Sequence, residues 1–373
     1  MTSRDDGGGD RLARALAPYL TPDPACLSGI LLAVSGGPDS TALMHAAACA
    51  GSDIALWVAT VDHGLRPESA HEAEAVGERA KQLGLRHRIL RWETPPRGGI
   101  QAAARAARYR FLAAHAAEIG ARIVLTAHTA DDQAETVLMR LVAGSGPAGL
   151  AGMRRERALA GGIRLVRPFL DLPKAMLVAY CETRALPFAR DPSNADDRFA
   201  RARLRRLLPA LAAEGLTPDR LRRLAERLAR DEAALSQAAA DLLDAARRPA
   251  APGAFALDGG ALLAAPAALA LRVLDLAIEA IQPDPQRAVP RRLERLERLV
   301  LDALLPALAQ GLRLRRTLRG VLVETTPDGT VVLAPAPPRR ASARTLHGSR
   351  VAGPADLLGK GEGAAYIGPA CPE

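Results

Sequence analysis

Residues 35–40 read SGGPDS: two hydroxyls, two adjacent glycines and a carboxylate within six positions. The apolar run from Ile30 to Val34 precedes them and an Ala/Leu-rich run follows from Thr41. This pattern predicts a buried strand, a tight loop and a helix. A loop of that kind aims backbone N–H groups and a helix N-terminus at one point, which suits a phosphate. Gly36 and Gly37 let the backbone approach an anion and take φ > 0, and Ser35 and Ser40 can donate hydroxyl hydrogen bonds. Asp39 would be repelled by bound phosphate unless a divalent cation lay between them, so the loop predicts a Mg²⁺–nucleotide site that includes Pro38 and Asp39. It is not a Walker A loop, because no Lys follows the glycines.

A second cluster lies in TAHTADDQAET, residues 126–136. His128, Asp132 and Glu135 share a face if a helix already begins near His128, and Asp131 stands at its N-terminus. Adjacent carboxylates there favour a cation, and the helix dipole supports them. A third cluster, Asp62 and His63 in VDHGLR, ends another apolar run. Arg105, Arg108 and Arg110 punctuate ARAARYRF; an arginine reaching a phosphate would neutralise charge in a transition state, and Arg105 is the first choice. Further on, Arg198, Arg201, Arg205 and Arg206 lie mostly off the apolar side of an amphipathic helix, either solvated or set to grip an RNA backbone.

These residues need elements to place them. Strands are expected over 54–61, 85–92 and 121–127, and helices over 68–83, 100–119 and 131–142. Alternation at this spacing predicts an α/β fold with a parallel, Rossmann-like sheet. Ligands then bind at the carboxyl ends of its strands, where all three polar clusters fall. GSGPAGLAGM has four glycines in ten residues and reads as a mobile loop, a lid or a linker. A strand, a Pro turn and a helix opening near Leu172 follow. Leucines at helical spacing from Leu221, with further helices over 262–281 and 291–308, predict a helical domain. Residues 310–334 read as strands with a hairpin turn at Pro327-Asp328-Gly329. The expected division is an arm with a short helix to 25, a nucleotide domain over 26–212, a helical domain over 213–308, and a hairpin with a tail over 309–373.

The 373 residues carry a net charge of +9, which favours a polyanionic partner. Aromatics are only 3%, so Leu, Ala and Val must build the core. Cys26, Cys49, Cys181 and Cys371 form no CxxC pair, which argues against structural zinc and a disulfide framework and suits a reducing cytoplasm. The N-terminus has no apolar signal core, and the most apolar later stretch contains Arg272, Asp275 and Glu279 rather than reading as a membrane span.

SGGPDS after a strand resembles the SGGxDS loop of the PP-loop ATP pyrophosphatases, which cleave ATP between the α and β phosphates and adenylate a substrate oxygen. SGGPDS, VDHGLR, ARAARYRF, TAHTADDQAET, GSGPAGLAGM, RPFL and DPSN stand in the order found in one branch, the tRNA(Ile)-lysidine synthases. Thr129 replaces that family's second histidine, and Ala202 its Asn after Arg201. The resemblance implies adenylation of the wobble cytidine of a CAU-anticodon tRNA(Ile), then attack by free L-lysine to form lysidine. It implies ATP held by Ser35, Gly36, Gly37, Pro38, Asp39, Ser40, Asp62, His63 and His128, and Mg²⁺ shared by Asp39 with Asp132 or Asp131. Arg105 would contact phosphate, Asp132 and Glu135 would hold lysine's ammonium or take its proton, and Arg198, Arg201 and Arg205 would contact tRNA. A homodimer is compatible with it. The competing readings are a tRNA thiolase, which commonly needs cysteines this chain does not pair, and an ATP-binding RNA module without chemistry.

Overall fold

The tetrapeptide Ile30–Ala33, strand β1, is apolar on both faces, as the centre of a covered parallel sheet requires. It pairs in parallel with β2 (Leu56–Asp62) and β4 (Ile123–Thr126). Ile30 and Leu32 pack on one side, with the helices α1 (Gly7–Leu20), α2 (Pro38–Cys49) and α3 (Ser69–Gln82). Leu31 packs on the other, against Tyr109, Leu112 and Ala116 of α4 (Ile100–Glu118). The computed structural model describes residues 7–21, 29–64, 68–92, 100–189, 200–281 and 293–337. Arg198, DPSN, TPPRGG, Cys26 and Cys371 therefore lie outside the described residues, as do Leu65 and Arg66 of VDHGLR.

The sheet has six strands in the order β3-β2-β1-β4-β6-β5, where β3 is Arg86–Arg91, β5 is Glu156–Ala158 and β6 is Arg164–Val166. Only β5 runs antiparallel to its neighbour. The chain moves outward from β1 to β3, then returns through α4 to the far side of β1. That reversal puts the topological switch point between β1 and β4, where a crevice opens outside the strands' carboxyl ends. Register finishes the job. Ala33 is opposite both Ala59 and Thr126, so the segments after β1, β2 and β4 leave the sheet at one edge. The expected parallel sheet and the convergence of the three clusters are both observed.

The helix α5 (Ala130–Val142) does not cover this sheet. Its Ala134, Val137 and Leu138 pack on Leu221 and Ala225 of α9 (Pro218–Ala246), with Leu204 and Leu208 of α8 (Ala200–Ala213) alongside. At 29 residues α9 is about 44 Å long. Its far end, at Ala239 and Ala246, enters a second core.

That core holds a five-stranded antiparallel sheet as well as helices, in the order β7-β8-β11-β10-β9. Strands β9 (Arg315–Leu318), β10 (Val321–Thr325) and β11 (Thr330–Pro335) were legible from sequence, and Gly329 takes φ +81° in the expected hairpin turn. Strands β7 (Arg247–Arg248) and β8 (Phe255–Asp258), inside the stretch read as purely helical, complete it. The single helix expected over 262–281 is two, α10 (Gly259–Ala264) and α11 (Ala267–Ile281), separated at Pro266. Helices α12 (Leu293–Leu299) and α13 (Leu305–Ala309) are joined by a π-helical turn, where Pro306 lacks the N–H that would continue the ladder. Among the described residues no helix is long and apolar enough to cross a membrane.

Gly259 joins the two halves of this core. A Cβ there would meet the Gly329 carbonyl at 2.2 Å and Leu308 at 2.6 Å, and its N–H donates to that same carbonyl at 3.1 Å. Gly259→Ala is expected to destabilise the chain by about 2–3 kcal/mol, read as a lowered denaturation midpoint, because backbone rather than a flexible side chain must move.

Candidate active site

The helix α2 begins at Pro38, three residues before the expected Thr41. Proline's fixed φ suits the first helical position, so Asp39 and Ser40 belong to the first turn and the loop proper is only Ser35 to Gly37. Gly36 has φ +86°. A Cβ on Gly37 would meet nothing within 4 Å, so open space stands beside the helix N-terminus where an anion would sit. Ser40 is buried and closes the loop: its hydroxyl accepts the Ser35 N–H (3.1 Å) and donates to Gly37 O (3.1 Å). Ala189 N–H donates to Gly36 O at 2.9 Å and braces the loop from outside. The loop geometry thus rests on Ser40, and Ser35 is the hydroxyl nearer the opening.

The helix α7 (Lys174–Thr183) holds the start of α2 in place. Cys181 donates its S–H to Pro38 O at 3.4 Å, and burial pushes that thiol up to about 11. Tyr180 Oη meets His45 Nδ1 at 2.9 Å. Lys174 Nζ donates to Asp39 Oδ2 at 2.7 Å, and the Lys174 N–H donates to Asp131 Oδ2 at 2.7 Å. Lys174 is the site residue that sequence reading missed. A signal existed: this chain has only three lysines among 50 basic residues, so a lysine kept where arginine is the rule marks a place for a compact point charge.

Asp39 Oδ1 is buried and has no hydrogen-bond partner. Burial raises the Asp39 carboxyl above the ordinary carboxylate range; Lys174 pulls it down, and Asp132 and Asp131 push it further up. An orphaned carboxylate oxygen among other acids is a demand for positive charge. Mg²⁺ fits that demand. Among the described residues no three acidic, His or Cys side chains form a metal cage. Mg²⁺ at a nucleotide site characteristically takes one or two carboxylates and completes its shell with phosphate and water.

The second cluster differs from its expected form. Helix α5 starts at Ala130, so His128 stands before the helix and Thr129 is its N-cap. Asp132 Oδ2 accepts the Thr129 N–H (2.9 Å) and hydroxyl (3.0 Å), and the Asp132 N–H donates back to Thr129 Oγ1 (3.4 Å), the reciprocal arrangement of a capping box. Glu135 is buried, with Oε2 accepting Arg201 Nε (2.6 Å) and Oε1 accepting Arg205 Nε (2.6 Å). Arg201 also donates to Asp132 Oδ1 at 3.1 Å. The acids read for lysine and two arginines read for tRNA are therefore one balanced cluster, two charges of each sign, which docks α8 onto α5. Asp131 keeps the freer carboxylate: the Lys174 N–H is its one hydrogen bond among the described residues.

Across the crevice, Asp62 Oδ1 accepts the Gly64 N–H (2.9 Å) and the Ser69 hydroxyl (2.6 Å). Burial would raise its pKa, and those bonds hold it below the usual range. Its carboxylate closes the β2–α3 turn. His63 packs edge-on against Trp92 at 5.9 Å, its Nδ1 buried and unpartnered. His128 Nδ1 pairs with Thr126 Oγ1 at 2.9 Å. Burial, helped by Arg167, Arg108 and Arg105 and opposed by Asp132, lowers His128 to about 3, so it is a neutral imidazole near pH 7.

GSGPAGLAGM is ordered. Pro147–Leu150 forms the short helix α6. Arg140 donates to Gly149 O (2.6 Å) and Gly152 O (2.7 Å), and the Gln133 amide bonds both N–H and carbonyl of Met153 at 2.7 and 3.0 Å. The loop reading is corrected for that reason: two side chains of α5 tie it down. Arg140→Ala is expected to speed amide hydrogen exchange over 144–153 at least tenfold, since bonds from a charged donor each contribute about 1.5–3 kcal/mol.

The sequence pattern of the PP-loop domain matches residues 11–211. The tRNA(Ile)-lysidine synthase of Methylobacterium nodulans is 59% identical over 89% of this chain and 97% of its own. That of Rhodopseudomonas palustris is 47% identical over 84% and 92%. A U34-tRNA thiolase from Methanococcus maripaludis superposes with a TM-score of 0.50, over 60% of this chain and 79% of its own, at 16% identity, a likeness of fold. With its phosphate loop and acidic cluster meeting at the switch point of the sheet, this chain belongs to the tRNA(Ile)-lysidine synthase family.

Proposed function

We propose that this protein joins free L-lysine to C2 of the wobble cytidine of a CAU-anticodon tRNA(Ile), using ATP and releasing AMP and pyrophosphate. The observation that supports it most is the pairing of an open anion cradle at Gly36–Gly37 with the orphaned Asp39 Oδ1 in the first turn of the helix that follows. ATP lies with its leaving pyrophosphate on the Ser35–Ser40 loop, its nucleoside towards His63 and His128, and Arg105 on a phosphate. Asp39, with Asp131 or Asp132, would hold Mg²⁺, which neutralises charge on the leaving group when bound. Lys174 holds Asp39 in position at the same edge.

Adenylation makes C2 electrophilic, and lysine must then arrive as a neutral amine. Asp131 is the acid we assign to the ammonium and its proton, because Asp132 and Glu135 are occupied by Thr129, Arg201 and Arg205. Those four charged groups form the frame that orients α5. Neutral His128 adds no charge beside the nucleotide. Free lysine, ATP and tRNA as reactants fit a cytoplasmic protein.

Incubation with tRNA and ATP labelled at the α-phosphate, without lysine, is expected to leave label on the tRNA. Added lysine should then chase it off as AMP. Label that never enters the tRNA, with lysine present or absent, would refute the two-step order.

A further inference from the structure

Tyr109 of α4 is buried, with three guanidiniums over its ring: Arg157 of β5 at 4.5 Å, and Arg105 and Arg108 of α4 at 5.4 Å each. A fourth arginine, Arg167, follows β6 and is 3% exposed. Its Nη1 donates to Arg154 O at 2.6 Å, its Nε is buried without a partner, and the buried Tyr109 hydroxyl lies beside its guanidinium. Among the described residues no carboxylate pairs with any of the four. Their neighbours differ: Arg155 pairs with Asp171, and Arg164 with Glu156 at 3.0 Å. Among the described residues, then, the arginines on either side have acids and these four have none.

Leaving a buried guanidinium unpaired is costly, and four like charges around one ring repel. The arrangement is economical only if an anion completes it. The planar guanidinium fork matches phosphate, and the aromatic ring holds the guanidiniums without neutralising them. Burial alone would push the Tyr109 hydroxyl up, and the four arginines outweigh it and bring it down. Arg105 and Arg157 are exposed, so the site is open to a polymer, with Arg167 and Tyr109 as its floor. It lies by the nucleotide edge: the charges of Arg105, Arg108 and Arg167 all reach His128. The anion cradle for ATP is elsewhere, after β1.

We propose that Tyr109, Arg108, Arg157 and Arg167 form a second phosphate site, with Arg105 at the boundary between it and the ATP phosphates, and that this site takes a backbone phosphodiester of the RNA substrate beside the reacting base. This rests on the proposed function, since it presumes that RNA reaches this edge. With Arg201 and Arg205 held on Glu135, this cluster carries positive charge that no carboxylate among the described residues answers.

The test is binding of unmodified CAU-anticodon tRNA(Ile) to the full chain across a series of KCl concentrations, with ATP affinity measured in parallel. Arg157→Gln should weaken tRNA binding about tenfold near 100 mM salt and reduce the salt slope by about one, with ATP affinity within about twofold of the parent. Arg157→Lys should restore the slope but only part of the affinity. Arg164→Gln, which removes a paired arginine nearby, should change neither. Loss of ATP affinity with tRNA binding intact would assign the site to the nucleotide and overturn the proposal. An unchanged slope in Arg157→Gln, or an equal loss in Arg164→Gln, would overturn it too. A parent protein that binds no tRNA would instead refute the functional reading itself.

Discussion

Asp39→Asn is expected to abolish lysidine formation and, without nucleotide, to raise Tm by a few degrees. The two effects share one cause. Burial opposes ionisation of Asp39, and Asp131 and Asp132 add to the opposition, so its folded pKa lies above the unfolded value. Where the group is ionised in the folded state, its charge costs folding free energy. The cost is fully present above the folded pKa and disappears as pH falls below the unfolded one. Asparagine has nearly the same shape and carries no charge. The Tm advantage of the variant should therefore be largest near pH 7 and close towards pH 4. Activity should fall by at least about a thousandfold, the order expected when roughly 4 kcal/mol of charge stabilisation on the leaving group is lost. Calorimetry over that pH range, beside a turnover assay, checks both. A variant less stable than the parent at pH 7 would mean that the Lys174 bond outweighs burial.

Glu135→Ala should be the most destabilising single change near the site. It leaves Arg201 and Arg205 facing one another across the vacated carboxylate position, with only Asp132 to answer them. Breaking a buried pair costs about 3–5 kcal/mol. Both guanidiniums here are more than one-third exposed, at 36% and 39%, and can turn to water, so about 2–4 kcal/mol is expected. Turnover should fall more than ATP affinity, because α5 carries Asp131 and Asp132 while the phosphate loop stands on α2. Adding Arg205→Met to Glu135→Ala should recover part of the stability by removing an orphaned charge. Urea midpoints of the two single variants and the double decide this. If the double is no more stable than Glu135→Ala, the Arg205 pair is not what Glu135 holds.

The sheet and the meeting of three clusters at one edge were legible because their signals are local: apolar runs of strand length, glycines after them, helical periodicity between. The general placement of ligands at carboxyl ends then put the three clusters together, while the strand order is seen only in the structure. Two misplacements were also locally correctable. Pro38 marks the first residue of α2, and the Thr129–Asp132 spacing marks the cap of α5, which excludes His128 from the helix. The other differences are long-range. Arg201 and Arg205 meet Glu135 across 66 and 70 residues, and Lys174 meets Asp39 across 135. No periodicity encodes such pairs, so charge types could be found but not their partners. Strand β8 was hidden for the same reason: four residues become a strand only when β11 arrives to pair with them.

The most direct test supplies unmodified CAU-anticodon tRNA(Ile), Mg²⁺–ATP and labelled lysine to the purified protein and counts label in the tRNA. Label that requires ATP, and disappears when the wobble cytidine is replaced by guanosine, is the predicted result. AMP formed in the presence of tRNA but with no lysine incorporated would contradict the account, leaving the PP-loop chemistry in place with a different nucleophile.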